Sequence, residues 1–126
     1  MLTYNQMVVG GLSDAEADRV FQALADTTRR DILTQAIERE QSVSALARSY
    51  EMSFAAVQKH VAVLERAGLV SKQRRGREQI VHANRPALRR VMVLLEAYEQ
   101  LWIQRATQIA DLLAGEEGGP DGRHDT

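Results

Sequence analysis

The feature that most constrains the fold of this chain is the close spacing of two helical patterns near its middle. A short helix, capped by Ser42 or Ser44, is predicted to end around Tyr50. Ser53 then caps a second helix, and Gly68 stands where a left-handed residue would end it. The buried face of this second helix is predicted at Ala56, Val57, Val61 and Leu64. Two helices with so short a connection indicate a helix-turn-helix, whose second helix enters the DNA major groove.

Two further helices are predicted before this motif. Ser13 followed by Glu16 has the form of a capping box, and an apolar pattern at three- to four-residue steps follows it. Asp26 offers a second N-cap, for a helix that ends near Glu40.

A β-hairpin and a long helix are predicted after the motif. Residues 69–73 and 79–83 are short, β-branched-rich stretches, and the polar turn between them contains Gly76. Asn84 and Pro86 then open a long final helix. The expected fold class is therefore mainly α with a small β-hairpin, a winged helix-turn-helix with helical segments on both sides.

Length and composition favour a single domain. The 126 residues divide into an N-terminal arm at 1–11, a folded domain at 12–114 and a disordered tail at 115–126 that lacks apolar residues. No apolar run approaches the ~20 residues that span a bilayer, and no basic segment precedes the first apolar patch, so neither a membrane span nor a signal peptide is expected. The absence of Cys excludes disulfides and thiolate metal sites. We expect a cytoplasmic protein.

The charge of the chain is unevenly distributed. The formal net charge is −1, but residues 26–90 hold 13 Lys and Arg against 7 Asp and Glu. The remaining segments hold 3 basic residues against 10 acidic ones. A local positive field attracts phosphates regardless of the overall sum, although a surface can also segregate its charges without any such role.

The start of the second helix of the motif carries the residues best suited to contact DNA, namely Ser53, Phe54, Ala55, Gln58, Lys59 and His60. Ser53 and the neighbouring backbone N–H groups can bind a phosphate. Gln58 can pair with adenine, and Lys59 can reach guanine or a phosphate. Two positions have alternatives. Phe54 contacts a thymine methyl or packs against the second helix, which Asp26 caps, and His60 binds a phosphate or packs between helices.

The hairpin turn is strongly basic. Arg74, Arg75 and Arg77 lie within four residues, beside the predicted reading helix. This position favours a wing that contacts the DNA backbone or the minor groove, where Arg is preferred, over a merely solvated charged surface. Arg29 is a weaker candidate; with Arg30 it either contacts a phosphate or pairs with nearby aspartates.

The apolar stripe on the last helix is longer than the core of a small reading head requires. Part of this stripe is expected to fold back on its own domain, and the remainder to form a dimer interface with the first helix. The predicted interface residues are Leu12, Val20, Leu24, Val91, Leu95, Tyr98, Trp102 and Ile109. A two-fold axis would place two reading helices about 34 Å apart on one face of a duplex.

Two segments resemble the ArsR family of winged-helix repressors. Residues 21–33, FQALADTTRRDIL, are similar to the opening signature of that family, and residues 52–70, MSFAAVQKHVAVLERAGLV, to its recognition helix and following strand. The resemblance extends from about Leu12 to Leu113. It implies a homodimer that is held by the first and last helices, binds a pseudo-palindromic double-stranded operator and blocks transcription.

The chain also departs from the family pattern. Gln58 stands where the family more often has Ser, a departure that bears on base preference. Thr27 stands where Pro is common, which changes only the start of a helix. Metal-sensing members carry Cys in the third helix or Asp and His sets on the last helix. Here the third helix offers no such ligand and the last helix only Glu96, Glu99 and Asp111, so we expect a subgroup that senses no metal.

No residue pattern indicates catalysis. The chain has no Cys, three scattered His, no Gly-rich phosphate loop and no nucleophile elbow, so we expect neither an enzyme nor a bound cofactor. The alternative to a DNA-binding regulator is a winged helix that contacts only other proteins. The controlling signal remains open between a small apolar ligand held by the long helices and constitutive binding set by protein level.

Overall fold

The computed structural model describes residues 11–118, which form five helices and a three-stranded sheet around one core. The helices and strands are α1 (Asp14–Leu24), α2 (Thr27–Glu38), β1 (Gln41–Ser42), α3 (Val43–Ala47), α4 (Phe54–Arg66), β2 (Val70–Arg75), β3 (Glu78–Ala83) and α5 (Arg85–Gly118). The arm predicted at 1–11 and the tail predicted at 115–126 lie mostly outside the described residues.

Side-chain caps start four of the helices where the sequence predicts them. Ser13 and Glu16 form both hydrogen bonds of a capping box at α1. The Asp26 carboxylate accepts from the Arg29 N–H at α2, and the Ser53 hydroxyl from the Ala56 N–H at α4. These caps satisfy backbone donors that the first turn of a helix leaves free. Of the two serines considered for α3, Ser42 is the cap.

The wing is a three-stranded antiparallel sheet in the order β1-β3-β2. In the register of β2 and β3, Val70 pairs with Ala83 and Arg75 with Glu78, so only Gly76 and Arg77 form the turn. Arg74 and Arg75 therefore belong to β2 and not to the predicted five-residue turn. The strand β1 was not expected, since two residues are too short to show a periodic pattern.

The core lies where α1, α2, α3 and α4 meet the inner face of the sheet. Its fully buried side chains are Val20, Ile32, Leu46, Val57, Val61, Leu64, Leu69 and Val81. Only the beginning of α5 joins it, through Val91 with Leu88 and Leu94 beside it. The winged helix-turn-helix fold expected from the sequence is confirmed.

The helix α5 extends far beyond this core. Its 34 residues correspond to about 51 Å. It continues through Gly115 to Gly118, so the first residues of the predicted tail belong to the helix. From Tyr98 to Gly115 every residue is exposed in the single chain.

Candidate nucleic-acid interface

One side of α4 is held firmly in the core while the other faces solvent. Val57, Val61 and Leu64 are completely buried, which fixes the rotation of the helix about its axis. As a result the five residues predicted to contact DNA in its first turns are all exposed: Ser53, Phe54, Ala55, Gln58 and Lys59. Phe54 is 47 % exposed, so nearly half of its surface is available for contact.

A hydrogen-bonded cluster holds the turn between α3 and α4. The Tyr50 hydroxyl donates to Asp31 Oδ2 over 2.5 Å, and Gln35 Nε2 donates to the Tyr50 oxygen over 2.9 Å and to Asp31 over 3.2 Å. These two donors hold the pKa of Asp31 below its ordinary value. Burial and the neighbouring carboxylate raise the pKa of Tyr50. The turn that precedes the reading helix is thereby attached to α2.

His60 lies on the side of α4 that faces the beginning of α2. Its ring is half-buried, and Nδ1 lies 3.9 Å from Asp26 Oδ2 at the beginning of α2. That distance is too long for a hydrogen bond, although it allows an ion pair when the ring is protonated. The geometry favours packing between α4 and α2 over a free phosphate contact.

The Arg29 guanidinium donates hydrogen bonds to backbone carbonyls of its own chain. Its Nε donates to the Ala23 carbonyl over 2.8 Å and its Nη2 to the Gln22 carbonyl over 3.0 Å. The Arg30 side chain likewise donates to the Leu24 carbonyl over 2.7 Å. These arginines supply side-chain donors to carbonyl groups in the last turn of α1, where a helix has few backbone donors of its own. The Arg29 guanidinium is therefore already engaged within its own chain, which disfavours the phosphate contact predicted from the sequence.

The three arginines of the wing differ in their surroundings. Arg74 Nε donates to the Gly76 carbonyl across the turn over 3.2 Å. Arg75 Nη2 lies 3.6 Å from Glu40 Oε1. Among residues 11–118, Arg77 forms no ion pair or side-chain hydrogen bond, and it projects from the turn itself. All three side chains are exposed, but only that of Arg77 is unengaged within the described part of the chain.

Glu40 and His82 form a contact that the sequence analysis missed. His82 Nδ1 lies 2.9 Å from Glu40 Oε2, and Glu40 also meets Arg75. The register of β1 and β3, in which Gln41 pairs with Val81, sets Glu40 opposite His82 although 42 positions separate them. His82 Nε2 is buried and lacks a hydrogen-bond partner among the described residues. An unpaired buried polar atom costs about 1–3 kcal/mol.

The residues predicted for the dimer interface divide into two groups. Leu12, Val20 and Val91 are at most 7 % exposed within the chain itself, so they belong to its own core and offer a partner no surface. Leu24 is partly buried against the same core. The other four remain exposed on α5, namely Leu95, Tyr98, Trp102 and Ile109. Trp102 is 77 % exposed, the highest value among the large apolar side chains of the described chain.

Metal-binding clusters and membrane-spanning helices are two further features considered in residues 11–118. No group of three or more His, Cys, Asp or Glu side chains comes close enough there to hold a metal ion. No helix in the same range has the length and hydropathy needed to cross a membrane.

Known proteins share both the sequence and the fold. The sequence profile of the family described as "Bacterial regulatory protein, arsR family" matches residues 26–72. The HTH-type transcriptional regulator Rv2034 of Mycobacterium tuberculosis is 32 % identical over 99 residues, which cover 79 % of this chain and 90 % of the relative. The chain belongs to the ArsR family. It is a transcriptional regulator with a winged helix-turn-helix DNA-binding domain.

Solved structures of ArsR proteins agree with this assignment. An ArsR-like transcriptional regulator from Rhodococcus sp. RHA1 is 36 % identical and superposes with a TM-score of 0.71, over 78 % of this chain and 92 % of that one. Mb0332 of Mycobacterium bovis, described as a homodimeric winged helix-turn-helix DNA-binding domain and a possible ArsR-family regulator, is 28 % identical with a TM-score of 0.57. This similarity covers 69 % of the present chain and 82 % of that domain. The resemblance stated from residues 21–33 and 52–70 is thereby confirmed.

Proposed function

We propose that this ArsR protein is a homodimeric repressor that binds a pseudo-palindromic operator in the cytoplasm and acts by binding, without catalysis. The observation that carries the proposal is the exposed face of α4 beside a basic wing. Ser53, Gln58 and Lys59 project from a helix that buried Val57 and Val61 keep from rotating. A reading helix with one buried and one exposed face, next to exposed positive charge, is the arrangement that direct readout with backbone positioning requires.

Within this face the residues have different roles. Gln58 reads a base edge, most favourably adenine, because its amide can donate and accept at the same time. Lys59 and the exposed N-terminus of α4 bind phosphates, and Phe54 covers a thymine methyl. Arg77 and Arg75 extend the contact along the backbone or into the minor groove.

The exposed stripe on α5 supports the homodimer. Leu88 and Val91 pack on the core of their own chain, and the same helical face continues outward as Leu95, Tyr98 and Trp102. The exposed section from Tyr98 to Gly115 is about 27 Å long, and an isolated helix of that length is only marginally stable in water. A second copy that covers this stripe removes a large apolar surface from water and stabilises the helix.

The test is fluorescence anisotropy of the full chain on DNA from its own upstream intergenic region, with a scrambled duplex of equal length. Both titrations run from about 50 to 200 mM salt, where phosphate-driven binding falls steeply. We expect tight, salt-dependent binding that prefers the native duplex, with two chains per site. If neither duplex binds at the lowest salt, the proposal fails and the chain is better explained as a module that contacts proteins.

A matched pair of variants tests the reading role of Gln58. Gln58→Ala is expected to lose about 1–3 kcal/mol of discrimination between the native and scrambled duplexes. Gln104→Ala, which removes the same group from an exposed position on α5, leaves that discrimination unchanged. Equal weakening of both duplexes by Gln58→Ala would contradict base readout by this residue.

A further inference from the structure

A cavity of about 520 Å³ opens at the junction of α2, β3 and α5, away from the exposed face of α4. Ile37, Ala83 and Leu88 supply apolar walls. Ile37 is 57 % exposed, so the apolar surface is accessible from solvent in the single chain. Cavities of this volume with mainly apolar walls and a few polar groups are the usual form of small-molecule sites.

The polar groups of this cavity are predominantly cationic. Arg39, the C-terminal cap of α2, and Arg85, the first residue of α5, both line it, and neither forms an ion pair among residues 11–118. Glu40 is the one acidic residue in the lining, and His82 and Arg75 already contact its two oxygens. The beginning of α5 adds the positive end of a helix dipole on the same side.

We propose that this cavity binds a small amphipathic carboxylic acid. The apolar body of the acid lies against Ile37, Ala83 and Leu88, and its carboxylate pairs with Arg85 and Arg39. The apolar walls disfavour a purely polar anion. The guanidinium groups of Arg39 and Arg85, which form no ion pair among residues 11–118, favour a carboxylate over a neutral molecule of equal size. An arginine fork matches a carboxylate with two parallel hydrogen bonds.

The experiment is isothermal titration calorimetry of the full chain without DNA, so its outcome does not depend on the proposed operator binding. The probes are decanoate and 1-decanol, which share one apolar chain and differ in charge, each below its aggregation limit. We expect one decanoate per chain, bound at least about tenfold more tightly than the alcohol. Equal affinity for both probes, or no binding of decanoate, would overturn the proposal.

Variants then locate the binding site. Arg85→Gln is expected to weaken decanoate binding about tenfold, while Arg89→Gln, an equal charge change at an exposed position of α5 outside the cavity lining, leaves it unchanged. Ile37→Trp fills the mouth of the cavity and should abolish binding, whereas Thr34→Trp on the exposed side of α2 should not.

The Ile37→Trp variant also distinguishes the cavity from other surfaces that could bind the acid. If Ile37→Trp binds decanoate as tightly as the original chain, the acid lies elsewhere, for example on the apolar stripe of α5, and the cavity proposal is wrong. Circular dichroism of each variant establishes that the fold is retained. If one cavity variant is unstable, the other cavity variant and its own control still provide the comparison.

Discussion

The unengaged arginine of the wing gives the sharpest quantitative prediction. Arg77 projects from the two-residue turn between β2 and β3 and has no partner among the described residues, so its charge is available to a phosphate. Each phosphate that a protein neutralises contributes about 0.9 to the slope of log K against log salt on duplex DNA. A homodimer presents the residue twice, so Arg77→Ala should reduce the magnitude of the slope by about 1.8.

This change is large enough to measure directly. Between about 50 and 200 mM salt, a slope smaller by about 1.8 means that the variant loses roughly 12-fold less affinity than the original chain. The assay is fluorescence anisotropy on one duplex at several salt concentrations. Arg19→Ala, an equal charge change at an exposed position on α1, is the control and should leave the slope unchanged. An Arg77→Ala slope equal to that of the original chain would refute a wing that contacts the backbone.

Glu40 influences how much charge the wing presents to DNA, because it lies beside Arg75. Its carboxylate lies 3.6 Å from Arg75 and competes with phosphate for that guanidinium. Both groups are more than half exposed, and ion pairs of this kind contribute only about 0–1 kcal/mol. Glu40→Gln should therefore strengthen binding to every duplex by less than about fivefold per chain, or about thirtyfold for a homodimer that presents the residue twice. A loss of affinity would show that Glu40 positions the wing more than it competes for its charge.

Three further predictions concern assembly and stability. Trp102→Glu should give a monomer in analytical ultracentrifugation, since it sets a charge on the exposed stripe of α5; a persistent dimer would exclude that stripe as the interface. Gly68→Ala should lower the free energy of unfolding by about 1 kcal/mol because Gly68 has φ +78°, with Gly68→Asn less costly, and equal stability in urea melts would contradict this. Hydrogen bonds hold the pKa values of Asp26 and Asp31 below their ordinary range, so the native state binds fewer protons than the unfolded chain. The contribution of these two carboxylates to stability should then be constant above about pH 5 and fall as the pH drops below about 4, an effect that Tyr50→Phe reduces at Asp31; melts that show no such decline would exclude the mechanism.

Local chemistry explains which parts of the fold could be predicted from the sequence. Helix caps such as Ser13, Asp26 and Ser53 bond to backbone groups three residues further along the chain. The left-handed conformation of Gly68 depends only on that residue's own lack of a side chain. The helical period alone sets Val57 inward and the DNA-facing residues outward on α4. These features predict the element order and most of the candidate interface.

Longer-range contacts account for the rest. The sequence predicts that part of the stripe on α5 folds back on its own domain, but it does not show which part. Val91 packs on its own core and Trp102 does not, and periodicity cannot separate the two because both lie on the same helical face. The sequence alone presents Arg29 as a surface charge. Only the packing of α2 against α1 places the Ala23 and Gln22 carbonyls within 3.0 Å of its guanidinium. The pairing of Glu40 with His82 depends on the β1–β3 register and leaves no sign at either position.

The sequence by itself therefore determines a winged helix-turn-helix with a basic wing and a reading helix of known orientation. It does so because capping, turn chemistry and amphipathic periodicity are interactions between near neighbours along the chain. Tertiary structure alone decides which charges remain free. Packing commits Arg29 to α1, and sheet register commits Glu40 to His82 and Arg75. Arg77, at the tip of the turn, has no ion-pair partner among residues 11–118.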